Sequence, residues 1–403
     1  MTQFVFDGVT YPIQRVIGKL GKLDGKQPTV VIVAGMHGNE PTGVLALKQV
    51  VEDLQTRNVM VNGEFIALTG NTAALSQNER FLWSDLNRLW AGPFLDELNR
   101  EPDEAERNGA VELRERRELF SQIKPLFSRK GPLYFIDLHT TSSETIPFII
   151  INDQLRNRNF AKKFPVPIVL GLEEYLEGPM LSFLNDCGYT SIGFEAGQHI
   201  MRESVDTHRA FIYLALVHAG VVQARDVPQL DECRRYLIAR RQTGDVALDC
   251  DPCFVEVVDR VGILEHQHFV MIDKIANFSV VKKGNALATL DGDTVYAEHD
   301  ARIFMPRYMP VGTDAFFIVK SIPKWAIWAS ELLRRFNFDR ILSWLPGIRR
   351  DKSYPETLIV NPKIARFLAV KIFHLLGYRR QKTVAGLLYF SRREIISKTP
   401  PTA

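Results

Sequence analysis

Cysteine is scarce, and long apolar runs and a leader-like start are missing. Four cysteines (Cys187, Cys233, Cys250 and Cys253) in 403 residues are too few and too irregular for a disulfide framework. A reducing compartment and ordinary thiols are therefore expected, Cys250 and Cys253 of the C-x-x-C included. No run approaches the ~18 apolar residues of a membrane-spanning helix. The first residues show no basic segment leading into an apolar one, so no secretory signal is read and a cytoplasmic protein is expected. Internal repeats and low-complexity segments are absent as well.

Net charge is small, +3, but unevenly spread. Residues 321–403 hold 16 Lys and Arg against 5 Asp and Glu, a balance of +11, which leaves −8 on residues 1–320. The basic character belongs to the tail, so no nucleic-acid partner is expected for the chain.

At 46% hydrophobic and 24% charged residues, the composition is that of a globular protein long enough for several units. From about residue 29 to 222, apolar strand runs ("TVVIVAG", "GEFIALTG", "PLYFIDLH", "IPFIII", "VPIVLG", "TSIGFEA") alternate with helical patterns. One of these, "PDEAERNGAVELRERRELFSQIKPLF", reads as a charged surface helix. The pattern predicts an α/β fold with a mostly parallel central sheet flanked by helices. Short strands and glycine turns beyond the turn-rich patch at 243–252 predict a small, separate β-domain. Tryptophan, leucine and arginine at helical spacing after Pro323 predict a helical C-terminal extension. The expected units are an α/β part over 1–244, the β-domain over 245–320 and the basic extension over 321–403.

The stretch "VVIVAGMHGNEPTG" drops from a strand straight into His37 and Glu40 among glycines. Strand ends of open α/β sheets are where sites form. Alone, an H-x-x-E pair is also what a helix cap or helix surface provides. A third group comes from "YFIDLHTT", where an apolar strand ends in His139. Two histidines and a glutamate with an open position form a known catalytic zinc set. Asp137 is either an orienting partner for an imidazole or a solvated strand-end carboxylate. Glu195 ends a third apolar strand among Phe194 and Ala196, where burial should raise its pKa toward general acid–base use; a paired structural carboxylate is the alternative. "ERFLWSDLNRLW" offers Arg80, Asn87 and Arg88 as anion-binding groups. His266 and His268 read as partly exposed strand residues.

H-G-N-E, D-L-N-R, D-L-H-T and the later glutamate strand, in this order, resemble the succinylglutamate desuccinylase/aspartoacylase family of the zinc carboxypeptidase superfamily. The resemblance covers roughly residues 28–320. It implies one zinc ion per chain held by His37, Glu40 and His139, with Glu195 as base. It implies that Arg80 polarises the scissile carbonyl and that Asn87 and Arg88 hold a substrate carboxylate. The reaction implied is deacylation of a small N-acyl substrate, in which the β-domain excludes long peptides. One departure stands out. Family members acting on acidic N-acyl amino acids carry an arginine about ten residues before the catalytic glutamate, whereas 180–194 reads "MLSFLNDCGYTSIGF", with Asn185 and Asp186 and no arginine.

Two other functions compete with deacylation: a metallocarboxypeptidase acting on peptides, and a non-catalytic binding protein on the same fold. The β-domain argues against the first, and the joint presence of all four groups against the second. For the tail, docking on the catalytic part or on another subunit of a homo-oligomer is favoured over contact with a membrane surface. Trp325, Trp328, Leu332, Leu333 and Phe336 are expected to supply the burial. Since the chemical groups precede residue 320, removal of the tail is expected to spare them.

Overall fold

The computed structural model describes residues 2–392 except 23–24, 92–108, 242–247, 249–252, 265–266, 273–274, 309–313, 337, 339–341, 343, 355–356, 365–372 and 374–375. Its centre is an eleven-stranded mixed sheet. Across the sheet the strands are Val280–Val281, Ala301–Phe304, Asp314–Ile322, Phe254–Gly262, Ile168–Leu170, Phe148–Ile150, Thr190–Gln198, Leu133–Thr141, Thr29–Ala34, Glu64–Thr69 and Val16–Gly21. Glu64–Thr69, Thr29–Ala34, Leu133–Thr141 and Thr190–Gln198 run parallel, as the apolar runs predict.

Continuous apolar runs form these strands because both of their faces are covered. Val30, Ile32 and Ala34 pack on one side with Val44, Leu47 and Val50 of the Pro41–Thr56 helix and Phe211, Ile212 and Ala215 of the Arg202–His218 helix. Val31 and Val33 pack on the other with Leu119, Phe120 and Ile123 of the Val111–Ile123 helix and with Met180 and Leu184. Fully burying one such side chain contributes about 1.5–3 kcal/mol relative to exposure. Alternate residues of a strand thus feed two cores, and the strand end is fixed between them.

The segment after residue 253 is not a sheet apart. Phe254–Gly262 pairs in parallel with Ile168–Leu170, and Asp314–Ile322 pairs antiparallel with Phe254–Gly262, so the central sheet simply continues. Val255 and Val257 are buried against Phe304, Phe317 and Phe148, which explains the extension. A three-stranded sheet (Phe269–Met271, Ala286–Leu290, Asp293–Tyr296) stands beside it, its hairpin turned by Asp291 and Gly292, both at positive φ.

The expected helical extension starts with a helix over Lys324–Arg335, and among the described residues beyond it most of the regular structure is strand. Beyond it, Ile348–Arg350, Thr357–Val360, Leu387–Arg392 and Tyr378–Val384 form a four-stranded antiparallel sheet. The apolar and β-branched runs "TLIV" and "LLYF" and the Ala385–Gly386 turn, at φ 50° and 75°, set the hairpin. Helix-like tryptophan spacing masked that signal. Cysteine also departs from expectation. Cys187 and Cys233 are buried free thiols, but Cys253 is disulfide-bonded; Cys250 and His266 lie outside the described residues, and His268 is exposed.

Candidate active site

His37 and Glu40 occupy the turn between Thr29–Ala34 and the helix that starts at Pro41, with Glu40 at the helix N-cap position. Proline at that first position fits because its missing N–H has no intrahelical partner to lose. Gly35 sits at φ 71°, which favours glycine. At Gly38 a Cβ would lie 2.1 Å from the Ala74 carbonyl carbon, so only glycine lets the turn press on the Thr72–Gln77 helix. The Gly38 N–H donates to the Arg80 carbonyl at 3.2 Å, tying the turn to the next functional segment.

His139 and Glu195 are direct partners across neighbouring parallel strands. Ligand atoms of His37, Glu40 and His139 lie within 4.8 Å of one another, and all three residues are buried. Glu40 Oε1 is 2.8 Å from His37 Nδ1 and Glu40 Oε2 is 3.2 Å from His139 Nδ1. The opposite ring nitrogens meet carboxylates: His37 Nε2 lies 3.2 Å from Asp85 Oδ1, and His139 Nε2 lies 2.8 Å from Asp137 Oδ2. Both Nδ1 atoms therefore face inward, oriented by an aspartate behind each ring, the arrangement that fixes a metal-binding tautomer. Asp137 is wholly buried, which removes its solvated reading.

The donor set suits a cation. Burial pushes Glu40 up, but His37 and His139 together pull it well below its usual range. Burial pushes His139 down, and Asp137 and Glu40 override it, so its pKa stands well above the ordinary value. Two imidazoles and a carboxylate held this close together in a buried space form a set that a divalent ion would take. Glu195 Oε2 is buried with no hydrogen-bond partner. Burial, offset in part by His139, pushes Glu195 up to about 8.

The remaining site groups stand on the segment from Arg80 to Arg88. Arg80 Nη2 donates to Asp85 Oδ2 at 2.9 Å, and its Nη1 lies 3.9 Å from Glu40 Oε1. Asp85 also accepts from the Asn87 N–H at 2.9 Å. Burial pushes Asp85 up, but His37, Arg80 and Arg88 drive it far below the carboxylate range. Asn87 is buried: its Oδ1 accepts from the Met180 N–H at 3.0 Å, and its Nδ2 is 3.4 Å from His139 Nε2. Arg88 Nη1 donates to the Asn87 carbonyl at 2.9 Å, and burial lowers its pKa, offset by Asp85.

Sequence reasoning missed the residue that holds this segment in place. Glu112 accepts from the backbone N–H groups of Leu82 at 2.7 Å, Trp83 at 3.0 Å and Ser84 at 3.3 Å, and from Asn71 Nδ2 at 3.1 Å. It belongs to the helix expected to lie on the surface, yet Glu112, Glu115 and Arg116 are all buried. Nothing in an E-rich helix pattern marks such an anchor. Asp85 had a readable signal, as the aspartate of D-L-N-R. His199 is a further unforeseen neighbour, its Nδ1 2.9 Å from Thr140 Oγ1.

His37, Glu40, Arg80, Asp85, Asn87, Arg88, His139, Glu195 and His199 line one cavity of about 690 Å³. Apolar Ile150, Leu172, Leu176, Leu181 and Phe317 line it together with polar Asn152, Glu173 and Ser182, and Met305, Arg307 and Asp314 join it from beyond the Ala301–Phe304 strand. Asn185, ten residues before Glu195, is buried and bonds Asn157, Ser191 and the Leu181 carbonyl.

Strand-end donors, an arginine and a buried carboxyl at one cavity define a hydrolase on an α/β sheet. Residues 26–217, just under half of the chain, match the succinylglutamate desuccinylase/aspartoacylase catalytic domain, a family of amide hydrolases. A succinylglutamate desuccinylase of Idiomarina loihiensis is 26% identical over 317 residues, which cover 73% of this chain and 83% of the relative. An N-acyl-aromatic-L-amino acid amidohydrolase (carboxylate-forming) of Xenopus tropicalis is 28% identical over 203 residues, covering 50% and 58%. In fold, the chain is similar to the product-bound ectoine utilization protein EutE (DoeB) of Ruegeria pomeroyi, with a TM-score of 0.53 at 18% identity, covering 76% of this chain and 88% of that one.

Proposed function

We propose that this chain is a zinc-dependent deacylase that cleaves the amide bond of an N-acyl amino acid or related small N-acyl amine. The observation that carries the reading is the convergence of His37, Glu40 and His139 within 4.8 Å, with Glu195 paired to His139 on the adjacent strand. One zinc ion per chain, held by these three, would supply a polarised water as nucleophile. Glu195 takes a proton from that water and returns it to the leaving amine. Its raised pKa marks a carboxyl able to do both near neutral pH. Arg80, steadied by Asp85, faces the carbonyl oxygen as negative charge develops there. Asp85 and Asp137 hold the imidazoles, and Asn87 braces Met180 against His139.

Arg88 lines the cavity and is the group for the substrate's free carboxylate. A second carboxylate has no arginine to meet it from 180–194, where Leu181 and Ser182 face the cavity. This favours substrates less acidic than succinylglutamate. Met305, Pro306 and Arg307, just beyond the Ala301–Phe304 strand, add to the lining of this one cavity of about 690 Å³, a size that supports small substrates over peptides. The binding-protein reading is disfavoured because no chemical group is missing.

Elemental analysis of the purified full-length chain, followed by a panel of N-acyl amino acids and peptides, tests the reading. Near one zinc per chain and turnover of small N-acyl substrates are expected. A metal-free protein that hydrolyses nothing, or a preference for peptides, would overturn it.

A further inference from the structure

The Lys324–Arg335 helix has two unlike faces. Ala326, Ile327, Ser330 and Arg334 are buried against the catalytic part. That contact is built from small and charged groups: Arg158 Nη1 donates to Ser330 Oγ at 3.2 Å, Lys162 pairs with Glu331 at 2.7 Å, and Arg334 reaches Asp153 at 2.8 Å. The opposite stripe carries the bulkiest apolar groups. Trp325 is 68% exposed, Trp328 66%, Leu332 39% and Phe336 67%. Steps of three and four residues keep these four on one side of the helix. Further along the chain Phe338 is 46%, Trp344 82% and Leu345 44% exposed. A helix normally turns its apolar stripe inward, and this one does the reverse. The expectation that these tryptophans dock on the catalytic part of their own chain is thereby corrected.

Charge decides what fits the stripe. The segment 321–403 carries +11 and the remainder −8. Lys324, Arg335, Arg349, Lys352 and Lys363 of this segment are all exposed. A symmetric contact between two copies would bring the same patch against itself, so the cationic segments would meet. A head-to-tail contact with the acidic part of another copy would leave the next stripe open and propagate without closing. An anionic bilayer offers what both lack. Its headgroup layer takes the cations, and the acyl boundary just beneath takes indole and phenyl rings. With 12 residues the helix is fit to lie on such a layer, and no helix among the described residues is long and apolar enough to cross one.

We propose that the Lys324–Arg335 helix seats this enzyme on an anionic lipid surface, with Trp325, Trp328 and Phe336 entering the headgroup boundary. The buried contacts of Ser330, Glu331 and Arg334 hold the stripe at a fixed angle to the catalytic part.

Co-sedimentation of the full chain with phosphatidylcholine vesicles, with and without phosphatidylglycerol, tests this. Pelleting is expected only with phosphatidylglycerol, with a blue shift of tryptophan emission and weakening by added salt. Replacing Trp325, Trp328 and Phe336 together by alanine should lower the bound fraction by at least about tenfold, the aromatic groups being the anchor. Because all three are exposed, the variant's melting temperature and metal content should not change. Arg335→Glu gives an independent variant and should also lower binding. Three outcomes would overturn the proposal: no pelleting, equal pelleting on neutral vesicles, or wild-type pelleting by both variants. Self-association that the triple variant abolishes, without vesicle binding, would assign the stripe to a second copy instead.

Discussion

Glu195 stands beside His139 on a neighbouring strand, where its charge is costly unless a cation or a proton offsets it. Glu195→Gln keeps the shape and removes the proton relay, so metal content should stay at wild type while kcat falls by ~10²-fold or more. Activity within a few-fold of wild type would remove the role. Arg80→Ala should cost ~3 kcal/mol in kcat/KM, the scale of a lost oxyanion donor; an unchanged rate would leave Arg80 as a mere partner of Asp85. A different residue sets the acid limb of stability. His208 is wholly buried, neither ring nitrogen has a hydrogen-bond partner, and burial pushes its pKa down to about 3. The folded state therefore binds fewer protons than the unfolded state between that value and the ordinary histidine value of ~6.5. Stability is retained above that window and falls with pH through it, by up to about 1.4 kcal/mol per pH unit. His208→Phe should flatten this limb in denaturation curves taken across the window; an unaltered slope would show that other groups set it.

Among the elements, the strands and strand-end groups were legible because one physical rule wrote both. Strands buried on both faces need unbroken apolar runs, so His37, His139 and Glu195 stand out where those runs stop. The supports were not legible. Glu112 looks like any solvated helix glutamate, and only the fold shows three backbone N–H groups converging on it. The tail sheet was hidden for the opposite reason: Trp325 and Trp328 announce a helix, and the weaker alternation of "TLIV" and "LLYF" was read as its continuation. A prediction belongs to this scale. Glu112→Ala strips the acceptor from the part-buried Leu82–Ser84 N–H groups and from buried Asn71 Nδ2, where a buried donor left unsatisfied costs about 1–3 kcal/mol. Since that backbone carries Arg80 and Asn87, both unfolding midpoint and kcat should drop, and Glu112→Gln should recover part of each because its carbonyl still accepts. Loss of stability with full kcat would show that the segment keeps its shape without the anchor.

At the scale of the molecule, the tail is bound to the catalytic part by a buried cluster rather than by scattered surface pairs. Asp153 accepts from Arg158 Nε at 2.6 Å, Arg334 Nη2 at 2.8 Å and Arg379 Nη2 at 2.9 Å, all wholly or nearly buried. Arg379 also pairs with Glu256 and, at 3.3 Å, with Glu174. Removing the tail would take two of three guanidinium partners from Asp153 and one each from Glu256 and Glu174, so truncation should cost stability whether or not the chemical groups before residue 320 are spared. Asp153→Ala asks the same question without cutting the chain. It leaves Arg158 and Arg334 facing each other in a buried space, and breaking a buried pair in this way costs about 3–5 kcal/mol. Burial pushes the Asp153 carboxyl up, but the three arginines pull it well below its ordinary range. For a carboxylate with a depressed folded pKa, the contribution is complete above the unfolded value of ~3.9 and is lost only as pH falls through the lower folded value. The stability gap between wild type and Asp153→Ala should therefore be flat from neutral pH down to about pH 4 and begin to close only below it. Urea denaturation across that range, with limited proteolysis to follow release of the tail sheet, measures both. A gap that closes well above pH 4, or a variant as stable and as protease-resistant as wild type, would mean that something other than this cluster holds the tail to the enzyme.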